Sequence, residues 1–251
     1  MKAGEVMAEA TRTAERPISL PVSVLLSFVA GYVDSYTYLG FGLFVAQVTG
    51  SFVIAGAEYV THEPGVVGKL LVVAAFLTAA ALAAALIALL REAGRAALAP
   101  MLGLEAVLLA TFCAMILYSP PVIGVTDRHG IIACVFAAMA MGAQSVLVRL
   151  LMAGVPQTNV MTGNMTQLGI TTTELILAWR RRRGAAAGSS QHQFAEVRAR
   201  LIVVLLIAVG FLAGVAAGAG AYAAIGFGGA AFAIVVVAAL AVWALLLEGR
   251  I

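Results

Sequence analysis

Six long apolar runs, at residues 20–40, 69–90, 97–118, 130–152, 200–223 and 228–247, are set off along the chain by charge, glycine or proline. Each approaches the roughly 20 residues that an α-helix needs to cross a hydrocarbon core, so the pattern predicts six transmembrane helices. Two weaker stretches lie between them, Phe44 to Val60 and Pro156 to Glu174. The second carries Gln157, Thr158, Asn159, Thr162, Asn164, Thr166 and Gln167, side chains that are costly to leave unsatisfied against lipid. It is not expected to be a lipid-exposed span. Residues 1–19 are polar and charge-balanced, with no early apolar region or small-residue cleavage site. They read as a cytoplasmic tail ahead of a retained first span rather than as a signal peptide.

Composition narrows the class further. Of 251 residues, 63% are hydrophobic and 11% charged, and the mean hydropathy is +1.04. These values describe an integral membrane protein and exclude a disordered chain, a disulfide-stapled secreted domain and a water-soluble enzyme. The length alone would allow roughly six to eight crossings. Cys113 and Cys134 both fall in apolar runs, where a thiol behaves as a small hydrophobe. The net charge of +3 owes most to the block Arg180–Arg183, which reads as a topology or anionic-lipid anchor rather than a nucleic-acid site.

The two weaker stretches resemble each other. Val48-Thr49-Gly50-Ser51 aligns with Met161-Thr162-Gly163-Asn164 at an offset of 113, which also carries Gly56 onto Gly169. Upstream, Gly31 and Asp34 align with Gly142 and Ser145 after a two-residue adjustment. The chain therefore reads as two membrane repeats, 20–118 and 130–247, the second holding a basic cytoplasmic loop at 180–200. If the Thr-Gly segments interrupt the repeats without crossing, each repeat has three spans and the second is inverted. Cytoplasmic termini then put 13 of the 15 Lys and Arg residues inside, with Lys69 and Arg128 outside; an eight-span alternative puts 12 inside. Charge barely separates the two, and the polarity of 156–174 favours six.

The paired signature, GYVDSYTYLGFGLFVAQVTGSFVIAG from Gly31 and MGAQSVLVRLLMAGVPQTNVMTGNMTQLG from Met141, resembles that of the YoaK family of bacterial inner-membrane proteins. The resemblance spans nearly the whole chain from Pro21. It implies six spans in a bacterial plasma membrane and carries no activity with it. Ser51 stands where that pattern commonly has asparagine, which argues against an essential amide at this position.

Asp34 is the sharpest candidate. Ser23, Ser27, Gly31, Asp34 and Tyr38 share one face of the first span, and a carboxylate inside a span costs about 2.5–3.5 kcal/mol on insertion scales. It is expected either to face a polar pathway, holding a cation, a proton or a substrate's positive group, or to cap a backbone break near Gly40 and Gly42. Arg149, at the end of the equivalent second-repeat span, reads as a snorkelling anchor or as an ion-pair partner of Asp34. Candidate binding residues in the two repeats are Gln47, Thr49, Gly50 and Ser51, with Gln144, Asn159, Thr162, Gly163, Asn164 and Gln167. Gly allows close approach, and the hydroxyl and amide groups can satisfy a broken helix or bind a ligand; close helix packing is the simpler reading of the same residues. Gly210, Gly214 and Gly218 form a small-residue face for a neighbouring helix or a second copy of the chain. Glu105, inside the third span, is expected to handle a proton or to pair with Arg95 or a backbone donor.

Enzyme motifs are missing from the sequence, and neither His62 with Glu63 nor Asp127 with His129 has metal-ligand spacing. The expectation is a non-enzymatic membrane protein without cofactor, metal or nucleic-acid partner. A permease for an unknown small molecule or ion, with a central site from the Thr-Gly segments and Asp34, leads over a non-transporting scaffold or regulatory subunit.

Overall fold

A computed structural model describes the backbone of residues 3–118, 126–152, 154–184 and 189–248, with side chains described for 20–118, 126–152, 154–181 and 191–248. The described elements are helical: α1 (Ala3–Phe41), α2 (Val48–Thr61), α3 (Val66–Glu92), α4 (Leu98–Tyr118), α5 (Arg128–Leu151), α6 (Met161–Gly184), α7 (Ser189–Ile225) and α8 (Ala231–Glu248). Five segments are long and apolar enough to cross a membrane, Leu20–Phe41, Val66–Glu92, Leu98–Tyr118, Arg128–Leu151 and Gln191–Glu248. The last is broken at a 3-10 turn, Gly226–Ala230, that separates α7 from α8 and begins at a glycine with φ of 56°. Only 33% of the most apolar window of α3 is buried, and Leu77, Leu82 and Leu89 point outward, as expected of a helix whose solvent is lipid.

Two polar stretches are helical. Helix α1 begins at Ala3, within the polar tail, and runs unbroken into the first apolar segment. In the basic stretch 180–200, α6 continues to Gly184 and α7 begins at Ser189. Both segments lack interior Gly or Pro between 170–183 and 189–209, so nothing stops the helices at the end of the apolar run.

Close backbone approach sets the packing. Along α7, Gly210, Gly214 and Gly218 sit against the carbonyl oxygens of Val24, Phe28 and Tyr32 on α1, and Gly31 of α1 sits against Phe211 of α7. The glycine face is therefore filled by a neighbouring helix of the same chain. It is not left open for a second copy, because a helix already lies where that copy would have to dock. Ser27 and Ser35 reinforce the contact by donating to the carbonyls of Ile207 (2.9 Å) and Val215 (3.1 Å). A matching contact joins α5 to α3, where Gly142 sits against the carbonyl of Phe76. Helix α4 packs against α5 and α8, while α2 and α6 lie against the helices that follow them, α3 and α7. Polar caps close the ends: Asp127 accepts from the amides of His129 and Gly130 at the start of α5, and Glu248 accepts from Ala99 at 3.2 Å.

Candidate functional site

The two Thr-Gly motifs lie in the first turns of α2 and α6, and the irregular backbone described just before them lies at 42–47 and at 152 and 154–160. Gly42 (φ 65°) turns the chain at the end of α1, its amide bonding the Tyr38 carbonyl at 2.8 Å. The segment then runs back along α1. Thr37 donates to the Leu43 carbonyl (2.9 Å), and Asp34 Oδ1 accepts from the amides of both Val45 and Ala46 at 2.8 Å. These are charge-assisted bonds to otherwise orphaned buried donors. Asp34 thus serves the backbone break, as one of its two sequence readings proposed.

The second break leans on α1 from the other end. Thr158 is its anchor: its carbonyl lies 3.0 Å from Ser27 Oγ and shares the single Ser27 hydroxyl proton with the Ile207 carbonyl, and its hydroxyl accepts from Gln144 Nε2 (2.9 Å), which also donates to the Leu26 carbonyl (2.9 Å). Ser23 and Met152 meet nearer the helix start. Ser27 and Asp34 are two turns apart, about 10 Å of helix, on either side of the middle of the Leu20–Phe41 segment. The two irregular segments therefore hold neighbouring stretches of one helix face.

A local device recurs in both halves. Ser51 Oγ donates to the Phe44 carbonyl (3.0 Å), and Asn164 Nδ2 donates to the Gln157 carbonyl (2.7 Å). Each donor sits seven residues after its acceptor. A hydroxyl and an amide thus perform the same bond, which explains how serine can stand in the first repeat. Replacing Asn164 with Ala removes the donor to a part-buried carbonyl and is expected to destabilise by about 0.5–1.5 kcal/mol, read as a lowered melting temperature, while Asn164→Ser is expected to recover part of it.

The remaining candidates divide. Asn159 is buried, with its side chain near Ser145 at a long 3.5 Å, and Gln47 caps α2 through its carbonyl without a side-chain cap bond. Gly50 faces the Phe44 ring, whereas Thr49 and Thr162 are exposed. Gly163, Asn164 and Gln167 line a cavity of about 720 Å³ together with Thr171, Arg200 and Val204. Among the described residues α2 and α6 share no extended contact, so the Thr-Gly motifs themselves are not brought into one site. The Asp34–Arg149 pair does not form. Arg149 is exposed on the last turn of α5, and Asp34 is buried with its bonds directed to backbone amides.

The structure changes the sequence reading at two residues. Lys69 read as an outside charge at the edge of a span. Instead its side chain is 2% exposed and its Nζ lies 2.7 Å from Glu58 Oε1. The turn between α2 and α3 accommodates the pair through Gly65 (φ 130°), where a Cβ would approach both Glu58 Oε2 and Lys69 Nζ to 3.0 Å. The available signal was an acid inside the first weak stretch and a base opening the next apolar run, at a spacing that only a tight hairpin brings together. Glu105 is the other: it is fully buried, and neither carboxyl oxygen has a hydrogen-bond partner.

No curated protein and no protein of solved structure is significantly similar to the chain. A family model does match, over residues 22–245, and the chain belongs to that family, described as "Protein of unknown function (DUF1275)".

Proposed function

From that membership and this geometry, we propose that the chain is a six-span permease for a small molecule or ion, built from two inverted repeats in a bacterial inner membrane with both termini cytoplasmic. In this reading α1, α3, α4, α5, α7 and α8 cross. Helix α2, with 14 residues, spans only about 21 Å, and α6 carries the polar run 162–174 and the arginine block; neither crosses. The inversion is supported by paired equivalences: Gly31 on Phe211 and Gly142 on Phe76, and Ser51 to Phe44 and Asn164 to Gln157. The resemblance to the YoaK proteins agrees with the same span count.

The observation that carries transport is the approach of two non-helical segments to one face of α1 on either side of its middle. Irregular backbone at membrane depth is tolerated only where it is buried in protein or lines a cavity, and interrupted segments form the binding sites of inverted-repeat transporters. Asp34 acts here as a positioning residue, fixing segment 42–47 against α1. The cavity at Gly163, Asn164 and Gln167 is the entry from the side of the α6–α7 hairpin.

Solutes that raise the melting temperature of the purified protein, found by screening small polar metabolites, are expected to enter proteoliposomes saturably. Asp34→Asn keeps one acceptor oxygen and the fold but loses charge-assisted bonding, and uptake is expected to fall at least tenfold. Uptake at the wild-type rate in Asp34→Asn, or no uptake of any stabilising solute, refutes this reading.

A further inference from the structure

Glu105 stands in the middle of the buried stripe of α4, between Met101 and Leu102 on one side and Leu109 and Phe112 on the other. A glutamate at such a position normally bonds to a donor or a cation, because burying a bare carboxylate is among the costliest things a fold can do. Here both oxygens are buried and unpartnered. The arginine nominated by sequence, Arg95, is exposed in the turn before α4. Helix α4 packs against α5, α8 and the 3-10 turn Gly226–Ala230. Their buried residues are Ala, Gly, Val, Leu and Met with Cys134 and Gln144, and none is a cation. Gln144 carries the other orphaned buried oxygen of the described membrane helices, Oε1, its amide nitrogen being engaged by Leu26 and Thr158.

An acid that serves packing would be replaced by leucine at no loss; removing an unsatisfied buried polar group is neutral or stabilising. A carboxyl held there with no partner fits a group whose partner is a proton that comes and goes. We propose that Glu105 is an exchangeable proton-binding site within the membrane, the carboxylate taking a proton from water to give the neutral acid and returning it to water. Its use to couple a proton gradient to solute movement rests on the permease reading above; the proton site itself does not.

The test is infrared spectroscopy of the full-length protein in phospholipid vesicles, with deuterated water as the probe. The carbonyl stretch of a protonated carboxyl is expected in the wild type, shifted to lower frequency within minutes of transfer to deuterated water. It is expected to be lost in Glu105→Gln, which removes no hydrogen bond, and moved in Glu105→Asp, which keeps the acid. A band unchanged in both variants means that Glu105 holds no proton. A Glu105 band that fails to shift over a day means a sealed structural acid. Either result overturns the proposal, and neither depends on finding a transported solute. Absence of uptake of any stabilising solute by the wild type, with an intact, exchanging Glu105 band, would count against the permease reading alone.

Discussion

Replacing Lys69 with methionine is expected to destabilise the protein by about 1–3 kcal/mol, less than the roughly 3–5 kcal/mol typical of removing one partner from a fully buried ion pair, because Lys69 is buried but Glu58 only partly so. Lys69 Nζ is the cation beside Glu58, whose Oε1 it meets at 2.7 Å and whose Oε2 is already buried without a partner. Without the ammonium, Glu58 keeps its burial and loses its compensation. The double variant Glu58→Gln/Lys69→Met should regain most of the loss, because two neutral side chains of similar volume need no counter-charge. The comparison is made on melting temperatures of the purified protein in one detergent. Equal melting of Lys69→Met and wild type would mean that the pair is solvated and worth the small amount typical of surface ion pairs.

The second large effect is expected at the α1–α7 contact. Gly214→Ala puts a methyl group into the Phe28 carbonyl, a backbone atom that can yield only if the helices part. Overpacking of this kind costs about 1–3 kcal/mol or more. Gly220→Ala lies in the same helix with nothing within 4 Å of the new methyl, and should be neutral or stabilising by up to about 1 kcal/mol through helix propensity. Gly142→Ala, against the Phe76 carbonyl, should behave like Gly214→Ala. Similar melting temperatures for all three variants would remove close backbone packing as the organiser of the bundle.

The apolar helices were legible because each apolar run had to be long enough to cross a hydrocarbon core, so observed helices agree with predicted runs within a few residues except where a polar stretch extends the helix, as in α1 and α7. The glycine stripe of α7 was legible as a packing face, but spacing cannot name the occupant; tertiary contact made it α1. Asp34 was legible as a carboxylate needing partners. That these are the amides of Val45 and Ala46 depends on the chain folding back after Gly42, which local pattern suggests without fixing its direction. The pairing with Arg149 failed for a physical reason: the arginine lies on the final turn of α5, where its charge reaches the exposed surface. Lys69 was misread in the opposite sense, because its counter-charge lies in an adjacent helix. The orphaned state of Glu105 could not be read from sequence, since it is a property of what neighbouring helices fail to supply.

The central claim is that the second repeat enters the membrane upside down, which puts the α2–α3 and α6–α7 hairpins on opposite sides. Single cysteines in place of Glu63 and Gln191, both exposed near those turns, can be labelled with a membrane-impermeant maleimide in intact cells and in inverted vesicles; Cys113 and Cys134 are buried and serve as the unlabelled background. The account predicts labelling of Glu63→Cys only from outside the cell and of Gln191→Cys only from the cytoplasmic side. Labelling of both from the same side would contradict it.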